Sequence, residues 1–409
     1  MIRARLGLLA ERDFAIYWSG GLLSNVGTWL QTVAAAVLML NLTGSPLMVG
    51  LLGTCAFLPI LLFTVFAGAA SDRFDRRRIV VVTHLVAMVI TAVLAAAALG
   101  GRLEPWMLLA VAFLTNAAYS FAKPALTSLL PAVVPRERLA EASAVNTLQF
   151  TLGQTIGSLI AAVILLVSTP GVAFAINALT YLGPVVAMFL ISPRSTRVAT
   201  VSSRASSGIT AGFRFLWATP ALLAAIVAVA ASSSMLEATR TLSPVLVTDV
   251  LGADDSATGL MIAAASLGSA MAILAIPRLL AALPLGRVAA IGFVVQISGL
   301  LLQGFAPGLP AALAGACLVG VGFSFSFTQM TAMLQLGAPD ELRGRVMSIH
   351  TLCHLGLRPF TALIVGSAAT LAGGRAAILL FAVLAPIGLA AAARASRVDT
   401  SAPASAQTA

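Results

Sequence analysis

Charge is what this chain has least of. Asp, Glu, Lys and Arg make up 9% of its 409 residues, where a soluble domain carries about a quarter. Hydrophobic residues make up 59%, and mean hydropathy is +1.01. So few charges do not cover that much apolar surface in water, which excludes a water-soluble enzyme and a disordered or collagen-like chain. Cysteine is scarce too. Cys55, Cys317 and Cys353 sit in apolar runs without pairing or metal-ligand spacing, which excludes a disulfide scaffold and points to no redox chemistry. Histidine occurs three times, with no His-Glu-x-x-His, and acids do not cluster within apolar runs. A polytopic membrane enzyme therefore has no constellation to work with. The single lysine, Lys123, follows no Gly-rich run, so no loop cradles nucleotide phosphates, and neither a metal nor a cofactor is expected.

What the chain has is long apolar runs. A helix crosses the hydrocarbon core with about 20 residues. Runs of that kind fall near 14–40, 47–70, 79–99, 106–121 and 143–166, with a sixth ending near 191. Six more follow near 222–247, 257–277, 287–305, 310–335, 346–371 and 376–393. Between the sets, 193–207 is polar and rich in Ser and Arg. The expectation is an all-α polytopic membrane protein. It has a six-helix bundle in 1–192, a cytoplasmic linker in 193–213, a second six-helix bundle in 214–394 and a disordered tail in 395–409. Residues 212–217, just ahead of the seventh run, read as a lead-in at the membrane interface.

The net charge of +10 is an orientation signal rather than a nucleic-acid footprint. With the N-terminus inside, the cytoplasmic segments receive 19 Arg and Lys123, and the external loops only Arg102 and Arg375. Both termini are thus expected in the cytoplasm, in an inner (cytoplasmic) cell membrane, the lipid bilayer being the main partner and no nucleic acid being bound. The first run is too long for a signal-peptide core and reads as a retained helix. The halves are also related. Residues 118–148 laid on 322–352 match at eight of 31 positions, including Pro135/Pro339 and Glu137/Glu341 in equivalent loops. A parallel repeat of this kind places a substrate cavity between the halves near the midplane.

The loop after the second run reads Gly68-Ala-Ala-Ser-Asp72-Arg73-Phe-Asp-Arg76-Arg77. It resembles the Gly-x-x-x-Asp-Arg-x-Gly-Arg-Arg signature of the major facilitator superfamily, with Asp75 where the family often has Gly. Three further stretches resemble the siderophore-exporter (enterobactin exporter-like) branch: Ser24-Asn25-Val-Gly27-Thr-Trp29-Leu-Gln31, Leu42-Thr43-Gly44-Ser45, and Pro339-Asp340-Glu341-Leu-Arg343-Gly344-Arg345-Val-Met-Ser348. The resemblance runs from about Phe14 to Leu389. It implies the major facilitator fold, twelve transmembrane helices in two pseudo-symmetric bundles. It also implies that Asp72 and Arg73, with Gly68, Arg76 and Arg77, latch the halves in the outward-open state. Gly68 is expected to permit close helix contact; plain positive-inside anchoring is the competing reading of the Arg residues. Gly153, Gly157 and Ser158 on the fifth run resemble the antiporter motif Gly-x-x-x-Gly-Pro-x-x-Gly-Gly, with Ser for Pro and Ala161 and Ala162 for the last glycines. Small-residue packing explains them equally. The Arg-bearing signature of drug/proton antiporters on the fourth run is absent, Asn116 and Tyr119 standing there instead.

Ionisable groups inside a span cost at least ~2.5–3.5 kcal/mol on insertion scales, so each calls for a reason. Glu237 and Arg240 lie three apart on the seventh run, hence on one helix face. His350, His354 and Arg358 form an i, i+4, i+8 stripe on the eleventh. These five are the proton-coupling candidates, histidine titrating near physiological pH. A static ion pair at the outer rim, and packing with snorkelling, are the competing readings. His84, alone on the third run, reads as structural. The resemblance implies that the first, fourth, seventh and tenth helices line the cavity. That makes Asn25, Trp29, Gln31, Asn116, Tyr119, Phe323, Phe327 and Gln329 the substrate-cavity candidates. Aromatic faces mixed with amides suit an amphipathic small molecule, and the charges within spans sum to +1, which leans toward an anionic or neutral one. The expected function is a monomeric secondary active transporter, not an enzyme, exporting a siderophore, antibiotic or other secondary metabolite against protons by alternating access. Uptake or uniport on the same fold, and a non-transporting sensor or scaffold, are the alternatives.

Overall fold

The computed structural model describes residues 7–192 and 209–396, apart from the side chains at 65, 72, 136, 140, 144 and 209. The expected linker core and tail, 193–208 and 397–409, lie outside the described residues. Fifteen α-helices follow one another among those described: α1 (Arg12–Thr43), α2 (Pro46–Arg73), α3 (Arg76–Leu99), α4 (Pro105–Val133), α5 (Leu139–Val167), α6 (Pro170–Thr180), α7 (Leu182–Leu190), α8 (Ile209–Ala218), α9 (Pro220–Val245), α10 (Ala257–Leu280), α11 (Leu285–Gly304), α12 (Leu309–Gly337), α13 (Asp340–Gly356), α14 (Arg358–Ala382) and α15 (Leu384–Ala395). α6 and α7 are one span interrupted at Tyr181. The run Asp340–Ala395, 56 residues long, holds two spans. They divide at Gly373, whose φ of 83° and ψ of 160° leave the helix, a conformation open to Gly because it has no Cβ. The twelve spans of the major facilitator architecture are therefore present.

Helix ends follow local chemistry. α1 stops at Gly44, which at φ 58° turns its N–H back to Leu40 O at 2.7 Å. Asp75 caps α3 by accepting from Arg78 N at 2.9 Å. Several helices overrun the apolar windows. α4 continues to Val133, past Pro124 and Pro131, where the sequence pattern stops near 121. α13 begins at Asp340, before the run that starts near 346. The lead-in at 212–217 is part of α8, which packs on α13: a methyl on Gly212 would meet Arg345 Cβ at 3.0 Å. Residues 209–213, read as linker, begin that helix.

Burial is inverted relative to a soluble protein. On α3, Val82, Val86, Val89 and Val93 are exposed at three- and four-residue spacing, while His84, Ala87, Thr91 and Leu94 turn inward. The outward row is a lipid-facing stripe. His84 is buried among its own unit: its Nδ1–H donates to Val80 O at 2.7 Å, and its ring meets Tyr181 edge-on.

The chain forms two compact units. One comprises Met1–Gly44, Cys55–Ser203 and Thr258–Ala263; the other comprises Ser45–Thr54, Arg204–Ala257 and Ala264–Ala409. In the first, Leu8, Phe14, Val80, Leu129, Val133 and Met188 share a core. In the second, α9 is central: its most apolar window is 72% buried, against 22% for that of Pro46–Thr64. That centrality is what lets α9 carry polar side chains at membrane depth.

Candidate functional site

The second unit gathers its polar residues around α9. Ser232 lies on one side. Its Oγ donates to Gln296 Oε1 at 3.0 Å on α11 and lies 2.6 Å from Ser326 Oγ on α12, while Gln296 Nε2 donates to Ser232 O at 2.9 Å. This knot is wholly buried. It forms because α11 and α12 approach closely: a methyl on Gly315 would meet Gly299 O at 2.7 Å.

The next residue starts the charged cluster. Ser233 Oγ lies 2.8 Å from His354 Nδ1, and His354 Nε2 lies 3.3 Å from Arg358 Nη2. Arg358 Nε stands 3.8 Å from Glu237 Oε2, and Arg240 Nη1 stands 3.9 Å from the same oxygen. Glu237 is 4% exposed and Arg358 8%. Glu237 Oε2 accepts no hydrogen bond among the described residues. Two guanidiniums thus share one carboxylate at ion-pair distances. Removing either partner from a buried pair costs about 3–5 kcal/mol.

An aromatic stack continues from this cluster. Phe327 lies 4.5 Å from His354, 4.9 Å from Phe323 and 5.3 Å from His350 by ring centroids. His350 Nε2 is 3.0 Å from Thr331 Oγ1. The structure therefore joins Glu237, Arg240, His350, His354, Arg358, Phe323 and Phe327 into one constellation. Gln329 is 1% exposed on α12 and its Nε2 has no partner among the described residues.

The candidates of the first unit are used differently. Asn177 Nδ2 donates to Gln31 Oε1 at 2.6 Å, tying α6 to α1. Asn25 Nδ2 donates to Gln149 Oε1 at 3.3 Å, tying α1 to α5. Trp29 packs edge-on against Phe150. Asn116 bonds Ala112 O one turn back, and Tyr119 is exposed. Gly153 and Gly157 seat α5 on α1, where a methyl on Gly157 would strike Val26 O and Trp29 Cβ; Ser158 and Ala162 receive Gly259 of α10.

The loop signature holds one correction. Gly68 was expected to bring two helices together, yet a methyl there would meet nothing within 4 Å. Among the described residues the contact it was credited with is not made. Arg76 Nη1 donates to Ser128 O at 3.4 Å and Arg77 Nη2 to Ile191 O at 2.8 Å, so both hold carbonyls of their own unit. Arg73 is exposed, and the Asp72 side chain lies outside the described ones.

Sequence reasoning missed Ser232, Ser233, Thr331 and Gln296. The serine run Ser232-Ser233-Ser234 in an otherwise apolar span was the available signal. A cavity of about 410 Å³ opens where α9 ends in a π-turn, beside Asp249, Gly373 and Arg375; Glu237, Arg240 and Arg358 do not line it. Among the described residues no group of His, Cys, Asp and Glu is arranged to hold a metal.

Twelve spans, inverted burial and an ionisable cluster inside a bundle define a multi-pass membrane transporter of the major facilitator superfamily. Solved structures agree on the fold. The nucleoside transporter NupG superposes with a TM-score of 0.71 at 14% identity, covering 93% of this chain and 98% of the other. A bacterial homologue of the iron transporter ferroportin gives 0.67 at 17%, covering 94% and 97%. A family profile matches residues 4–407: the chain belongs to the transmembrane secretion effector family. It is similar to the multidrug efflux pump Tap of Mycolicibacterium fortuitum, 25% identical over 88% of this chain and 89% of that protein. It is 24% identical to the staphyloferrin A transporter of Staphylococcus aureus over 46% and 47%. It is 28% identical to macrolide efflux protein A of Streptococcus pyogenes over 31% and 32%, so that match spans about a third of the relative's length.

Proposed function

We propose that the chain is a secondary active exporter of an amphipathic small molecule, such as a siderophore, antibiotic or other secondary metabolite, with the proton as coupling ion. The observation that carries this reading is the buried Glu237–Arg240–Arg358–His354 cluster. Ionisable groups at membrane depth are costly and mark substrate and proton pathways, and this one includes both a carboxylate and an imidazole. Export is supported by the relatives, whose names record efflux of macrolides and of multiple drugs. Phe323 and Phe327 supply the apolar face that an amphipathic cargo needs.

In this reading one chain works as a monomer by alternating access, with bundles in 1–192 and 214–394. Both termini lie in the cytoplasm, as the concentration of Arg in alternate loops supports. Asp72 and Arg73 latch the cycle, so Asp72→Asn abolishes export while the protein still reaches the membrane. Glu237 carries the proton, so Glu237→Gln flattens the pH profile of transport.

The test is movement in membrane vesicles under an imposed pH gradient, across a panel of siderophores, antibiotics and dyes. Gradient-dependent movement in the export direction is expected. No movement, or accumulation in the opposite direction, overturns the reading.

A further inference from the structure

The short helix ahead of α9 presents an aromatic face that the rest of the described chain leaves exposed. α8 hands over to α9 through one residue, Thr219, whose N–H returns to Leu216 O at 3.1 Å. The helix is therefore fixed at the mouth of a membrane span rather than hung on a loop. Gly212 and Leu216, one turn apart, turn inward. Leu216 is buried, and a methyl on Gly212 would meet Arg345 Cβ at 3.0 Å and Ile349 Cδ1 at 3.1 Å on α13. Phe213 and Trp217 repeat the same spacing one residue on, and both are exposed, Trp217 at 72%. Arg214 is exposed as well. At about 100° per residue, the aromatic pair lies between the α13 contact and Arg214, so an arginine stands on either side of it. Arg214 and Arg345 make no hydrogen bond or ion pair among the described residues. The acids at hand belong to α13. Asp340 is taken by Arg343, whose Nη1 stands 2.6 Å from its Oδ1. Glu341, one turn before Arg345, is exposed and forms no ion pair with it among the described residues. A helix with one packed face and one exposed aromatic face, joined directly to a span, lies where water meets hydrocarbon, and Trp is suited to that depth.

We propose that α8 and Arg345 form a binding site for anionic phospholipid, with Arg214 and Arg345 on the headgroup and Phe213 and Trp217 along the upper part of the acyl chains. The aromatic pair alone suits any lipid. The arginines add selection for charge: an anionic headgroup brings phosphate oxygens, which the guanidinium fork matches, and basic residues at the bilayer surface draw anionic lipid. Long Arg stems can lie along the apolar face while the guanidiniums stay at headgroup level. The site needs only that α9 is a span, whatever the chain carries.

The test uses the purified full chain in nanodiscs of phosphatidylcholine. A minor share of the lipid carries bromine near the glycerol end of its chains, where it quenches nearby Trp fluorescence. That brominated lipid is either phosphatidylglycerol or phosphatidylcholine. The Trp217 signal is the difference between the chain and its Trp217→Phe variant. Brominated phosphatidylglycerol is expected to quench it at least about twofold more than brominated phosphatidylcholine, because the arginines enrich anionic lipid at the site. In the Arg214→Gln/Arg345→Gln background the two lipids are expected to quench equally, and both still quench, because the aromatic contact with the bilayer remains. If that double variant does not survive purification, salt replaces it: in the wild type the preference is expected to collapse at about 1 M, where the Debye length is about 3 Å. Equal quenching by the two lipids in the wild type at low salt overturns the proposal. So does a preference that survives the loss of both arginines or, where salt is the test, one that salt leaves unchanged. Quenching by neither lipid places Trp217 away from the bilayer and overturns it as well.

Discussion

Guanidinium groups only donate, and that fixes the state of His354. With Arg358 Nη2 at 3.3 Å, His354 Nε2 has to accept, so the proton sits on Nδ1 and points to Ser233 Oγ. The ring's orientation is thus set from both sides, by a donor and an acceptor. His354→Leu deprives a buried guanidinium of an acceptor, and the expected result is at least about a tenfold drop in transport rate, consistent with the roughly 1–3 kcal/mol cost of an unsatisfied buried group. His354→Gln, whose amide both accepts and donates, is expected to recover most of that loss. Rates in vesicles, normalised to protein in the membrane, decide between them. The stripe of His350, His354 and Arg358 was legible from spacing alone. Its partner Ser233 was not, because spacing within one helix does not report which side of a neighbour it meets. The same gap explains Asn25 and Gln31. An amide facing a cavity and an amide tying two helices together look identical in sequence, and the structure gives both to helix ties.

The elements meet where small residues let them. A methyl on Gly157 would strike the backbone of α1, so Gly157→Leu is expected to lower stability by about 1–3 kcal/mol, the usual cost of overpacking. Gly68→Ala meets open space and should stay within about 0.5 kcal/mol of wild type. Thermal unfolding in detergent separates the two; a destabilised Gly68→Ala would contradict the open geometry. The buried knot of Ser232, Gln296 and Ser326 sets a third expectation. Gln296→Leu removes both of its bonds to Ser232 at once and should cost about 1–2 kcal/mol, near the upper end measured for polar contacts between membrane helices. Ser298→Ala, on the exposed face of the same helix, is the matched control. Most spans were readable from apolar runs, and so was the break between the last two. Their ends were not. A hydropathy pattern stops where the hydrocarbon stops, whereas α4 and α13 keep their backbone hydrogen bonds beyond it.

Orientation belongs to the whole molecule. After replacing Cys55, Cys317 and Cys353, a single cysteine at Ser256 is expected to react with a membrane-impermeant maleimide added to intact cells, and one at Asp75 only after permeabilisation. The reverse pattern would invert the reading of the Arg distribution. The repeat that the sequence suggests, through Pro135/Pro339 and Glu137/Glu341, is matched locally in the turns: Arg138 N donates to Pro135 O and Leu342 N to Pro339 O, each at 3.0 Å.

The sharing of Glu237 by Arg240 and Arg358 has an electrical consequence in the proposed cycle. Charges fixed inside a carrier that reorients sense the membrane potential, at about 2.3 kcal/mol per elementary charge per 100 mV for a full crossing. Reorientation in the absence of cargo is then expected to register as a capacitive current whose size Arg240→Gln changes; an identical current in that variant would place the cluster outside the moving field.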